Sequence, residues 1–165
     1  MLIKSIPEMF KQIEKSICIE PEYLNCDIKK SLIEKSRASW VGKCTKEDGY
    51  ILKINSILGI NDNYISPSTT SIVFKLLLNA EVLKPEVGKV FAATISLIHQ
   101  QGIITTVQDK MKILISISNL SSYEFDKPNN CFRKGDTVLK INDKIDVTIT
   151  AIRYEKNNFN CIGEL

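Results

Sequence analysis

The residue types that do chemistry are thinly and irregularly spread along this chain of 165 residues. There is one histidine, His99, so a Ser-His-Asp relay or a His-rich metal site would have to be built on it alone. No acid or nucleophile stands beside it in a catalytic pattern, and His99 is expected to be a polar residue closing a hairpin. The five cysteines, Cys18, Cys26, Cys44, Cys131 and Cys161, are odd in number and never take the C-x-x-C spacing of a zinc knuckle. They are expected as reduced, mostly buried thiols in an intracellular protein. Hydrolysis needs a convergent nucleophile, base and orienting acid, and none is assigned; no metal ligand or cofactor site is assigned either.

Charge gives a second exclusion. The net charge is only +3, from 22 basic and 19 acidic side chains. Residues 1–82 carry 11 basic and 10 acidic residues, and residues 83–165 carry 11 and 9. A domain that binds nucleic acid by charge alone would be far more basic, so any RNA contact should be weak or assisted by a partner. No window approaches the roughly 20 apolar residues of a membrane span, and the first residues lack the pattern of a secretory signal.

The elements that must position these residues divide at Ser71–Val90, SIVFKLLLNAEVLKPEVGKV. The apolar run Ile72–Leu78 is followed by a polar connector with Glu81, Lys84, Pro85 and Glu86, and Gly88 then leads into a second apolar run, Val90–Ile98. Proline removes a backbone donor and glycine weakens an element, so the pair predicts a boundary between domains 1–82 and 83–165.

In the first half, residues 1–8 are an extension interrupted by Pro7. Phe10, Ile13, Ile17 and Ile19 predict a strand over Met9–Ile19. A helix is expected from Pro21, with Leu24, Ile28, Leu32 and Ile33 on one face and Lys29, Lys30, Glu34 and Lys35 on the other. Trp40–Cys44 and Gly49–Ile57 follow as strands around the turn KCTKEDGY, with Tyr50, Leu52 and Ile54 alternating against Ile51, Lys53 and Asn55. Gly59–Thr70 is predicted to be a long polar loop carrying Tyr64, which either makes an exposed contact or tucks back onto its own sheet. The apolar run Ser71–Leu78 implies a strand buried on both faces.

The second half has the rhythm of short antiparallel strands. Phe91, Ala93, Ile95 and Leu97 share a face, and a turn at Gln100–Gly102 leads to Ile103–Val107. The turn QDK leads to Met111, Ile113, Ile115 and Ile117. Ser121–Lys140 is expected to be mostly loop. Ile145, Val147, Ile149 and Ala151 then alternate with polar residues, and the turn EKNN returns a last strand, Phe159–Ile162. Five strands with an insertion after the third describe a small Greek-key barrel of the OB type. The fold class is α+β: an antiparallel sheet with one covering helix, followed by a five-stranded barrel.

The ordered motifs carry a resemblance. Gly42, Cys44, Gly49 and Tyr50 form a G-x-C-x-x-x-x-G-Y pattern. Ser71–Lys75 reads S-I-V-F-K before the second domain, and Ile162–Leu165 reads I-G-E-L. With GKVFAATISLIHQQGIITTV between them, the chain from about Met9 resembles the stalk subunit of multi-subunit DNA-directed RNA polymerases, the family of eukaryotic RNA polymerase II subunit seven and its archaeal counterpart.

That resemblance implies a ribonucleoprotein-like tip domain and an S1-like barrel. It implies a non-catalytic role in transcription, with the tip docked on the largest polymerase subunits near the base of the clamp and the barrel near the RNA exit. A helical stalk partner of the subunit-four type is a further expected neighbour. Core contact is assigned to Lys43, Thr45, Lys46, Glu47 and Asp48 of one loop and to Asn61, Asp62, Asn63 and Tyr64 of the other. RNA-binding barrels usually offer aromatics on the second and third strands. Here those strands read Gly102, Ile103, Ile104 and Met111, Lys112. Nascent RNA is left with the isolated cations Lys89, Lys110, Lys112 and Arg153, which serve either as phosphate contacts or as plain solubilising surface. The competing reading is a free-standing S1-type RNA-binding module of translation or RNA decay. Lysine, isoleucine and asparagine bias, with a sequence closing directly after I-G-E-L, suits a minimal subunit from a large DNA virus or a compact AT-rich eukaryote. The expected location is virion and host cytoplasm in the first case and the nucleus in the second.

Overall fold

Strand β1 (Met9–Ile19) alternates as its sequence requires, with Ile13, Ile17 and Ile19 buried and Gln12, Glu14, Ser16 and Cys18 exposed. The computed structural model describes residues 9–24 and 27–165, so Cys26 and the extension at residues 1–8 lie outside the described residues. The chain separates into two units, with Glu8–Lys84 in one and Pro85–Leu165 in the other.

In the first unit, Pro21–Tyr23 forms one 3-10 turn rather than the opening of the helix. Helix α1 spans Ile28–Trp40, capped by Asp27, whose carboxylate accepts from the Lys30 amide at 3.3 Å. Trp40 is thus the helix's last residue and not the start of a strand. The strand expected there shrinks to β2 (Cys44–Thr45), because Val41 leaves the helical conformation and Gly42 turns the chain at φ +87°. β3 (Gly49–Ile65) and β4 (Ile72–Leu83) complete an antiparallel sheet of order β1-β4-β3-β2. Helix α1 covers one face, where Leu32 joins Ile13, Ile17, Ile51, Ile54, Leu76 and Leu78 in the core.

β3 departs from the expected alternation. Its register against β4 shifts four times, between Ile51/Lys53, Ile54/Ser56, Ile57/Gly59 and Ile60/Asp62. Each shift inserts one extra residue, so the inward position recurs every third residue. Ile51 and Ile54 are fully buried and Ile57 packs against the core, whereas Leu52, expected to share a face with Ile54, is only half-buried. The expected loop from Gly59 is also absent as far as Ile65: β3 stays paired with β4 to Ile65↔Ile72, and the turn occupies only the residues between them. β4 runs through Glu81 to Leu83, so the polar connector begins later than expected. Its inward side chains are buried, while Lys75, Leu77, Asn79 and Glu81 on the other face are half-buried, which corrects the expectation of burial on both faces.

The second unit is a closed barrel. Its strands are β5 (Val90–His99), β6 (Gly102–Val107) and β7 (Met111–Ser116), then β11 (Lys144–Glu155) and β12 (Asn158–Glu164), in the order β11-β12-β7-β6-β5. β12 and β7 are parallel and the other neighbours antiparallel. Phe91, Ile95, Ile103, Met111, Ile113, Val147 and Phe159 are among the residues that fill it. His99 closes the β5–β6 hairpin opposite Gly102, and its Nδ1 accepts from the Gln101 amide at 3.3 Å. The polar stretch expected to be loop instead holds a three-stranded sheet, β8 (Glu124–Asp126), β9 (Cys131–Lys134) and β10 (Thr137–Leu139), anchored by buried Cys131, Phe132 and Leu139. A register shift between Ile149 and Ala151 turns Ala151 outward, where simple alternation would have buried it.

Candidate functional site

The first group of assigned contact residues lies on the turn between β2 and β3, which several lysines hold from outside. Asp48 is nearly buried, at 8 % exposure, and its carboxylate meets Lys15 Nζ at 2.8 Å and Lys11 Nζ at 3.2 Å. Its amide donates to Thr45 Oγ1 at 3.1 Å, and that hydroxyl donates back to Asp48 Oδ2 at 3.3 Å. Lys84 and Lys11 both donate to the Glu47 carbonyl, at 2.8 and 3.0 Å. Burial alone would push the Asp48 carboxyl up. Hydrogen bonds from Lys15 and Lys11, together with their charges, outweigh it and hold the group below its ordinary value of 3.8. Lys15 Nζ also lies 4.5 Å from the centre of the Trp40 ring, and Lys43 Nζ lies 5.4 Å from it.

The glycines and cysteine of the G-x-C-x-x-x-x-G-Y pattern shape this turn. Gly49 sits at φ +80°, and a Cβ there would collide with the Leu83 carbonyl oxygen and stand 2.9 Å from Lys84 Cα. Only glycine lets β3 start this close to the end of β4. Cys44 pairs with Tyr50 across the turn and is buried, which pushes its thiol up to about 11; Cys161 in the barrel is likewise pushed up to about 11. Neither is a thiolate nucleophile at neutral pH.

The structure does not bring the two assigned groups together. Lys43, Lys46 and Glu47 are exposed at one end of β3 and Thr45 is half-buried, but Asp48 is an internal latch and offers no free surface. Asn61, Asp62, Asn63 and Tyr64 are exposed near the other end, on a strand, opposite Lys75, Phe74 and Val73. Four bulges shorten β3, and its span from Tyr50 to Asp62 matches only Leu83 to Lys75 of β4, so at ~3.3 Å rise per residue the groups stand roughly 25–30 Å apart. Asn61 Nδ2 reaches Glu14 Oε2 at 3.2 Å, and Tyr64 keeps 48 % exposure rather than tucking fully onto its sheet. Sequence reasoning missed Lys11, Lys15, Lys84 and Trp40. The lysines reach the turn from β1 and from the end of β4, so no local spacing announces them.

The barrel's outer face replaces a stacking platform with aliphatic side chains. Register places Leu97, Ile104, Leu114, Ile162 and Ala151 in one cross-strand row over all five strands. Leu97, Leu114 and Ile162 are 44–50 % exposed. The next outward row is polar: Thr94, Thr106, Lys112, Asn160 and Arg153. Lys112 and Arg153 therefore share a row, although Arg153 Nε is 3.3 Å from Glu155. Lys110 lies in the β6–β7 turn, and Lys89, just before β5, pairs with Glu86 at 2.9 Å. The four cations do not converge on one point.

With this geometry in place, comparison with known proteins defines the chain as a two-domain protein with an N-terminal SHS2 domain and a C-terminal S1 domain. Residues 14–70 match the family described as the SHS2 domain found in the N terminus of Rpb7p/Rpc25p/MJ0397, and residues 84–161 match the S1 RNA binding domain. Among solved structures, the chain is similar to the uncharacterized protein MJ1198 from Methanocaldococcus jannaschii, at 17 % identity and a TM-score of 0.36, over 50 % of this chain and 93 % of that one. The two matches, in this order in one chain, support the Rpb7-type family that its motifs resemble.

Proposed function

We propose that this protein is the non-catalytic stalk subunit of a DNA-directed RNA polymerase, docked by its SHS2 unit on the largest subunits near the clamp base, with its barrel beside the emerging transcript. The observation that carries this reading is the pairing of an Rpb7-type SHS2 match with an S1 match, in that order, in one chain. The turn at Lys43–Glu47 supplies the core contact, and exposed Asn61–Tyr64 supply a second, separate one. RNA contact is weak and runs along the Lys112–Arg153 row, because the adjacent row is aliphatic where stacking would require aromatic faces.

Affinity purification of the tagged protein from its native source tests the proposal. Two large polymerase subunits should co-elute at moderate salt, and smaller chains in the eluate would include a helical stalk partner. Recovery of RNA or ribosomal proteins without the large subunits would refute it.

A further inference from the structure

Around the β2–β3 turn, five lysines face two carboxylates. Lys11, Lys15, Lys43, Lys46 and Lys84 stand against Glu47 and Asp48, an excess of three positive charges, whereas the rest of residues 8–84 carries 6 basic and 8 acidic side chains. The arrangement is preorganised. Lys11 and Lys15 share the Asp48 carboxylate, and Lys11 and Lys84 share the Glu47 carbonyl. Lys11, Lys15 and Lys84, gathered on two residues, repel one another and keep donors that these contacts leave over, and exposed Lys43 and Lys46 stand at the same turn. We infer that this cluster is a docking site for a carboxylate-rich segment of a protein partner.

Charge complementarity selects an anion, and the surroundings select a polypeptide over a nucleic acid. Trp40 is the aromatic at the cluster, and its ring already faces the ammonium groups of Lys15 and Lys43, so it offers no ready platform for a base. The lysines converge on one turn instead of forming a track along which successive phosphates could run. Aspartate and glutamate side chains of an extended segment fit such a compact site, each accepting from an ammonium that is already held in place. The identity of the partner, a core polymerase subunit, rests on the function proposed above; the chemistry of the site does not.

The test uses the full chain and a labelled oligoglutamate peptide, followed by fluorescence anisotropy over a salt series. Binding should weaken steeply with salt, and K43Q combined with K84Q should lower affinity about tenfold, with the circular dichroism spectrum unchanged. The control K127Q with K140Q, on exposed residues just past the ends of β8 and β10, should leave affinity within about twofold. Absence of peptide binding, or equal loss in the control, overturns the inference. So does an oligouridylate of matched charge that binds more tightly than the peptide and loses affinity in the same K43Q/K84Q variant. Polymerase core captured equally by wild type and K43Q/K84Q would refute the inference and leave the stalk reading intact. Failure of wild type to capture core would sink the stalk reading, while the peptide result would stand by itself.

Discussion

Replacing Gly163 by alanine should destabilise the barrel through a single methyl group. A Cβ at Gly163 would overlap Val147 Cγ1, stand 2.8 Å from Ile113 Cγ2 and 3.1 Å from the Thr148 carbonyl oxygen. Two of these neighbours are fully buried β-branched side chains on adjacent strands, with few rotamers to retreat into. Inserting a methyl group into such a core costs about 1–3 kcal/mol. The backbone at Gly163 is not left-handed, so alanine also recovers about 0.4–1 kcal/mol by restricting the unfolded chain. The net loss is therefore roughly 1–2 kcal/mol, or about 4–15 °C in midpoint for a unit of this size. Urea melts should be followed by hydrogen exchange of β7, β11 and β12 peptides, with Trp40 fluorescence reporting the other unit. G59A is the control: nothing lies within 4 Å of a Cβ there, so its stability should hold or rise slightly. G163A combined with V147A should lose less than the sum of the two single changes, because the second removes the overlapped methyl. G163A with wild-type stability, or strict additivity in the double variant, would refute the steric account.

Three further outcomes follow from the first unit. G49A should cost more than about 2 kcal/mol in the Trp40-reported transition, since it adds a left-handed strain to a backbone collision; an unchanged midpoint would remove the explanation of that glycine. The Asp48 carboxyl titrates below 3.8, so its contribution is complete above that pH and disappears as pH falls through the lower folded value. Acid melts should steepen in that window, and D48N should flatten them while lowering stability by about 1–3 kcal/mol at neutral pH; a D48N acid profile parallel to wild type would contradict the latch. I54A should cost about 2–5 kcal/mol and L58A under about 1 kcal/mol, as the three-residue period of β3 requires; equal losses would favour simple alternation.

Legibility from sequence followed the range of the interactions involved. β1 and the barrel strands were readable because a two-residue period needs only neighbours along one strand, and the Gln108–Asp109 and Lys156–Asn157 turns announced themselves through Asp109 and Asn157, types that tolerate φ near +55 to +60°. β3 defeated the same rule. Its signal was present as Ile51, Ile54, Ile57 and Ile60 at intervals of three, a spacing that belongs to neither a regular strand nor a clean helix face and that only repeated bulges against β4 make coherent. The small sheet at β8–β10 was hidden for another reason: a polar stretch with few inward anchors looks like loop until Phe125 and Phe132 are seen packed at a tilt, with ring centroids 5.2 Å apart.

The candidate site failed in sequence for a physical cause that also explains what it does. Thr45–Asp48 could be found as a turn, but whether the Asp48 carboxylate was offered to a partner or consumed internally depended on Lys11 and Lys15, which reach it from β1 more than thirty residues away in sequence. Once those lysines turn inward, Asp48 ceases to be a contact, and the charges left exposed on the turn itself are Lys43, Lys46 and Glu47. The local sequence KCTKED holds two cations and two anions in balance. The fold brings three more cations to that balance, and recognition at this turn is therefore a property of the sheet register that aligns β1 and β4, not of the loop itself.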